Sequence, residues 1–243
     1  MSTFERSNWG QSEYSKDYRD NSDNYLQERT TLLRILASFY RNFVKGNERK
    51  RILDLGCGDG VLAETLYAQD KAIEITGTDG SRDMIEAAKI RLQGLPINEL
   101  CQISFDEIIQ GQFRRSPFDF IVSSFAIHHL DLPHKIMLFQ RIIEMLKPGA
   151  YFLNIDVAET NYMPYTNWYY VLWKEWIITR QRCLGYQESF AQVPEQARAK
   201  PENHYDSLPS QLTALGSAGF SEIECHYKYG LFCLYGGRKP NED

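Results

Sequence analysis

A run of glycines and two aspartates mark where this chain could do chemistry. In "RILDLGCGDG", Arg51 to Gly60, the residues Gly56, Gly58 and Gly60 follow a short apolar run. Glycine there gives up backbone entropy for φ freedom and for the absence of a Cβ, which a fold tolerates where something must approach the main chain closely. A dinucleotide fingerprint would read G-x-G-x-x-G, with a pyrophosphate on the helix N-terminus. Here the glycines are spaced two and two, and Asp54 stands just before the first. A carboxylate repels a pyrophosphate and attracts an ammonium or sulfonium. The loop therefore favours a ligand with a cationic end and disfavours NAD. A bare strand-to-helix turn would account for the glycines but not for the aspartates.

The second aspartate is Asp79, in "ITGTDGSRDMIEAA". It ends a β-branched run, and Ser81 already supplies the cap of the helix that follows. An ionised carboxylate is acceptor-only, so Asp79 suits the two donor hydroxyls of an adenosine ribose. A nucleoside and a cationic tail together suggest S-adenosylmethionine. Further along, "FAIHHLD" places His128 and His129 just past another apolar run. His128 is a candidate general base for a hydroxyl or amine acceptor, while His129 reads as packed against the next helix. Methyl transfer demands orientation and desolvation first, so a base is not obligatory. The segment 162–186 carries Tyr162, Tyr165, Trp168, Tyr169, Tyr170, Trp173, Trp176 and Tyr186. As a helix over 166–180 it sets Tyr169, Trp173 and Trp176 on one face, an acceptor-pocket lid by one reading and a sheet-edge or dimer contact by another.

Elements must position these residues. "RILDL", 73–79, "LCQISF", 118–125 and "AYFLNIDV" read as strands, separated by helices at "GVLAETLYAQ", "SRDMIEAAKIRLQG" and "PHKIMLFQRIIEML". Alternating strands and helices imply right-handed crossovers and a parallel sheet covered on both faces. "SLPSQLTALGSAGF" reads as a helix, and the last segment as two strands divided at Gly230. Residues 24–44 show helical spacing; residues 1–24 are polar with isolated aromatics. The domains expected are an N-terminal helical cap over 1–45 and a catalytic domain over 46–243, with a helical, aromatic-rich insertion at 158–205.

The totals agree with such a protein. At 243 residues, 43% hydrophobic and 24% charged, the chain suits one large domain. A net charge of −5 argues against a broad nucleic-acid or anionic-membrane surface. The five scattered cysteines form no CxxC pair and point to neither disulfides nor a metal site. The N-terminus lacks an apolar signal core, and no run is long enough to span a membrane, so the expectation is a cytoplasmic protein.

Taken in order, "ILDLGCGDG", "GTDGSRDMIEAA", "FDFIVSSFAIHHL" and "LKPGAYFL" resemble the successive motifs of class I S-adenosylmethionine-dependent methyltransferases, in their small-molecule branch. The resemblance covers 48–157 and, more loosely, 206–238. It implies a doubly wound, Rossmann-like α/β sheet of order 3-2-1-4-5-7-6, the last strand antiparallel, with helical caps. It implies that Gly56, Cys57 and Gly58 pass their backbone along the methionyl part of the cofactor, with Asp54 near its ammonium. Asp79, beside Gly80, would bind the ribose, and Met84 would lie against the adenine. Asp106 and Glu107 stand where the family has an acid facing the adenine amino group, though Phe105 replaces the usual small residue before it. Ser123 and Ser124 would lie under the sulfonium, and Tyr14 and Tyr18 in a flap over the cofactor. Tyr169 and Trp173 would line the acceptor side.

The function expected is methyl transfer to a small molecule, releasing S-adenosylhomocysteine without a metal, by a monomer or homodimer. A nucleic-acid base methyltransferase is disfavoured by the acidic charge and by "SSFA" where an NPPY-type tetrapeptide would stand. A non-catalytic cofactor binder is the remaining alternative.

Overall fold

In a computed structural model, residues 12–95, 97–115, 117–185 and 189–241 are described. The first strand, β1 (Lys50–Leu55), buries its last four residues, as a central strand flanked on both faces must. Helix α3 (Val61–Gln69) returns the chain to β2 (Ile73–Asp79). Helix α4 (Arg82–Arg91) follows, capped by the Ser81 side chain on the Met84 amide. After β3 (Ile97–Gln102) a short helix, α5 (Phe105–Ile109), leads to β4 (Phe118–Ser124). A single 3-10 turn at Ile127–His129 then joins α6 (Leu132–Met145), which Asp131 caps. Strand β5 (Leu146–Val157) comes next.

The sheet has seven strands in the order β3-β2-β1-β4-β5-β7-β6, the doubly wound order expected. Strands β1 to β5 run parallel, and β7 (Phe232–Arg238) pairs antiparallel with both β5 and β6 (Ser221–Tyr229). Alternation along each strand splits the core. Ile52, Phe120 and Val122 face one cluster with Leu32, Leu36 and Trp173; Leu53, Leu55 and Ile121 face the other with Leu138, Phe139 and Ile142.

Beyond β5 the chain forms α7 (Met163–Leu184) and α8 (Val193–Ala199), then α9 (Leu208–Ser217) before β6. Residues 12–25 fold as α1 (Ser12–Tyr25), and α2 (Arg29–Phe39) starts after a break where Glu28 has φ 60°. The helical spacing over 24–44 is met by the end of α1, by α2 and by a π-helical turn at Tyr40–Val44. The third strand ends at Gln102, short of the expected Phe105. Ser104 and Glu107 form a capping box, which claims that stretch for α5. No helix among the described residues is long and apolar enough to cross a membrane.

Candidate active site

The carboxyl ends of β1, β2 and β4 open into a cavity of about 460 Å³, at the place where strand order reverses. Gly56 and Gly58 form its floor, with φ of 65° and 54°. A Cβ on Gly56 would run into the Ala126 methyl and meet the Phe105 ring. One on Gly58 would meet nothing within 4 Å, so there the positive φ alone demands glycine, and the backbone lies bare to the cavity.

Asp79 lines the cavity with its carboxylate anchored by two amides, Gly58 N–H on Oδ2 at 2.9 Å and Ser81 N–H on Oδ1 at 2.8 Å. Burial raises its pKa to about 6, against the lowering pull of those amides. Asp54 sits behind the glycine floor, 1% exposed, and neither of its oxygens has a hydrogen-bond partner. Burial first, then Asp79 and Asp59, push it up to about 8. Asp59 differs in having a cation, Arg91 at 2.6 Å. An orphaned buried carboxylate under an open backbone loop fits a cofactor whose near end is an ammonium or sulfonium.

Gly80, Met84 and Asp106 also line this cavity. Glu107 does not, since its carboxylate is consumed by the Ser104 amide and hydroxyl, both at 2.7 Å. Of Ser123 and Ser124, both expected under the sulfonium, only Ser124 lines the cavity. Strand pleating turns Ser123 into the sheet, where its hydroxyl bonds the Leu55 carbonyl at 2.7 Å, and leaves Ser124 on the wall. The Cys57 side chain is likewise buried, packed towards Gly77, so only its backbone belongs to the loop.

A second cavity, about 670 Å³, shares Tyr18, Phe125 and His129 with the first. Its lining mixes apolar groups, including Leu26, Val157, Trp173 and Phe190, with the polar Gln196, Lys200 and Asn203. Burial lowers the Lys200 ammonium below its ordinary pKa. Phe125 reaches both cavities because it ends β4 at φ 53°, held by its amide on the Ile155 carbonyl at 2.8 Å. A non-glycine residue at such a φ costs about 1–3 kcal/mol, and such strain gathers at functional sites.

His128 lines the second cavity and is otherwise buried. Its Nδ1 meets Asp156 Oδ1 at 2.5 Å. His129, expected to pack away, stands in the wall of both cavities, and burial holds its imidazole well below the ordinary pKa. Trp173 lines the second cavity at 3% exposure, donating from Nε1 to the Tyr25 carbonyl at 2.6 Å. Tyr169 lines neither cavity; its ring lies under Lys228 Nζ at 4.4 Å. The α7 face is rotated from the one expected, because Tyr170 joins Trp173 inside and bonds Glu159 at 2.9 Å.

Sequence reasoning missed Phe125, Asp156 and the strap 200–205, which walls both cavities. A lone aspartate in the apolar run "AYFLNIDV" was the one available signal. Tyr18 lies where both cavities meet; the side chain of Tyr14, and Tyr186, fall outside the described residues, as do Phe4 and Trp9. Among the described residues no cluster of potential metal ligands occurs.

A doubly wound sheet of this order thus sets a glycine loop and the Asp79 carboxylate on one cavity at its switch point. The profile of a family described as a methyltransferase domain matches residues 25–207, and the chain belongs to that family, the class I S-adenosylmethionine-dependent methyltransferases. It is 24% identical to a demethylmenaquinone methyltransferase of Leptospira interrogans, over 98% of this chain and 94% of that protein. It is 36% identical to a ubiquinone biosynthesis O-methyltransferase of Coxiella burnetii, over 42% of this chain and 41% of the other. Among solved structures, an O-methyltransferase family protein from Burkholderia thailandensis superposes with a TM-score of 0.69 at 10% identity, over 98% of this chain and 64% of that one. PigF with S-adenosylhomocysteine superposes at 0.64 and 14% identity, over 95% and 60%. The chain thus spans less than two thirds of those two solved chains.

Proposed function

We propose that this enzyme methylates a hydroxyl on a small, flat, largely apolar acceptor held in the second cavity, with His128 as general base. The observation that carries the reading is His128, backed by Asp156, on the wall of that cavity, which shares three wall residues with the cofactor cavity. S-adenosylmethionine supplies an electrophilic methyl group and leaves as S-adenosylhomocysteine, its sulfur keeping the electron pair of the broken bond.

The chain's own residues do the rest. Asp54 would face the ammonium end, Asp79 the ribose hydroxyls, and Met84 and Asp106 the base. Tyr18, Phe125 and His129 stand between the two cavities and keep water from the reacting atoms. With Nδ1 committed to Asp156, His128 turns Nε2 to the acceptor and receives the hydroxyl proton as the oxygen bonds the methyl carbon. Trp173 and Phe190 offer aromatic faces to a ring. Relatives named for demethylmenaquinone and for ubiquinone biosynthesis support an oxygenated ring as acceptor.

The test is S-adenosylhomocysteine release with a panel of catechol, 1,4-naphthoquinol and matched aliphatic alcohols and amines. Turnover of the aromatic hydroxyls is expected, falling about a hundredfold or more in His128→Ala with cofactor affinity unchanged. Turnover confined to amines, or a His128→Ala enzyme at wild-type rate, would remove the proposal.

A further inference from the structure

Behind His128 lies a set of fully buried polar side chains that touch neither cavity. Asn154 and Asp156 share one face of β5, Tyr235 is the cross-strand partner of Asn154 on β7, and Gln211 comes from α9. All four have no exposed surface. Such groups are costly in an apolar sandwich unless each bond has a defined direction.

The directions follow from the far end. Gln211 Nε2 donates to the Asp206 carbonyl at 3.0 Å, so the amide must present Oε1 to Tyr235, whose hydroxyl donates to it. Burial above all holds that phenol protonated. Its proton spent, the hydroxyl is an acceptor towards Asn154, which must offer its NH₂, at 2.9 Å. The same NH₂ reaches Asp156 Oδ2 at 3.2 Å. Asp156 Oδ1 takes the Val157 amide at 2.9 Å and His128 Nδ1 at 2.5 Å. Donors reach this carboxyl from both sides, so it serves as an acceptor, and Nδ1 is the ring nitrogen that presents its N–H to it. Lys135 Nζ completes the circuit with two bonds of 2.6 Å, to Asp206 Oδ2 and the His204 carbonyl. The His204 amide in turn bonds the His128 carbonyl at 2.8 Å. The chain of bonds leaves from the imidazole and returns on the same residue's backbone.

We infer that Asn154, Tyr235 and Gln211 are positioning residues: their hydrogen bonds fix the Asn154 NH₂ on Asp156, keep that carboxylate an acceptor, and so lock the His128 tautomer with Nε2 unprotonated towards the acceptor cavity. The role in turnover rests on His128 being the base; the tautomer itself does not.

The test therefore reads the tautomer directly. In protein labelled with ¹⁵N-histidine, His128 is expected to show a far-downfield Nδ1 proton and an unprotonated Nε2, assigned by their loss in His128→Gln. Tyr235→Phe keeps the ring but frees the Asn154 amide to turn. It should shift that proton upfield or broaden it, and mix the two tautomers, while calorimetry shows unchanged S-adenosylhomocysteine affinity. Gln211→Met, one bond further out, should reproduce the change, and it decides the matter if Tyr235→Phe does not fold. A wild-type His128 signal in either folded variant would overturn the inference. Should the signals behave as expected while no hydroxyl acceptor is turned over, the proposed base function fails and the locked tautomer stands.

Discussion

Asp54 and Asp79 lie buried near the carboxyl ends of the adjacent parallel strands β1 and β2, and the charge of Asp79 acts on Asp54. Burial and the repulsion between them push Asp54 up to about 8, and burial leaves Asp79 at about 6 even with two amides on its oxygens. Asp54 has no hydrogen-bonding partner for either oxygen. The floor of the cofactor cavity is thus short of a cation, and the cofactor's cationic end would meet that need.

That shortage predicts a pH signature. An unfolded aspartate titrates near about 4. With a folded pKa of about 8 at Asp54 the native state binds more protons in between, so stability declines as pH rises through that window and levels off above it. An ammonium beside Asp54 favours its ionised form, so binding S-adenosylhomocysteine near pH 7 should release a proton. Calorimetry in buffers of different ionisation enthalpy measures this release, and Asp54→Asn should abolish it. Equal heats in all buffers for the wild-type protein would contradict the assignment.

Asp79→Ala would remove the acceptor proposed for two ribose hydroxyls and also free the Gly58 and Ser81 amides. The expected loss in S-adenosylhomocysteine affinity is about 2–3 kcal/mol, roughly a hundredfold. Unchanged affinity with an intact fold would take Asp79 out of the site.

The two aromatics once paired on α7 should now behave differently. Trp173 is a buried anchor packed on Phe232 and bonded to the end of α1, so Trp173→Ala should cost about 3–5 kcal/mol of stability. Hydrogen exchange across 12–25 should also accelerate. Tyr169→Ala, beside neither cavity, should leave acceptor KM and kcat within about twofold of wild type. Equal damage to turnover by both variants would restore the original pairing.

Lys135 is a fully buried ammonium that ties α6 to the strap walling both cavities. Lys135→Met strands Asp206 without its cation and should destabilise the fold by about 3–5 kcal/mol. Amide exchange should rise first over 200–206. A uniform rise across the whole sheet, with no local excess, would mean that the pair serves global stability alone.

What the chain discloses by itself is whatever depends on neighbours in sequence. The floor glycines, Asp54 and the Ser81 cap are legible because turn geometry, strand ends and helix caps are set within a few residues. Sheet order is legible because alternating strands and helices admit few right-handed windings. Parity is a finer matter. Whether Ser123 or Ser124 faces the cavity depends on pleat phase, and whether Asp106 or Glu107 is free depends on where α5 starts. The acceptor side was least legible. Phe125 reaches both cavities through a backbone strain that only the packed sheet sustains. His128 gains its orientation from Asp156 on the next strand, and that carboxylate from Asn154, Tyr235 and ultimately α9. The sequence held these groups far apart, with no periodicity linking them. Only the tertiary fold brings them within hydrogen-bond reach, because excluding water from the core makes an unpaired buried donor costly.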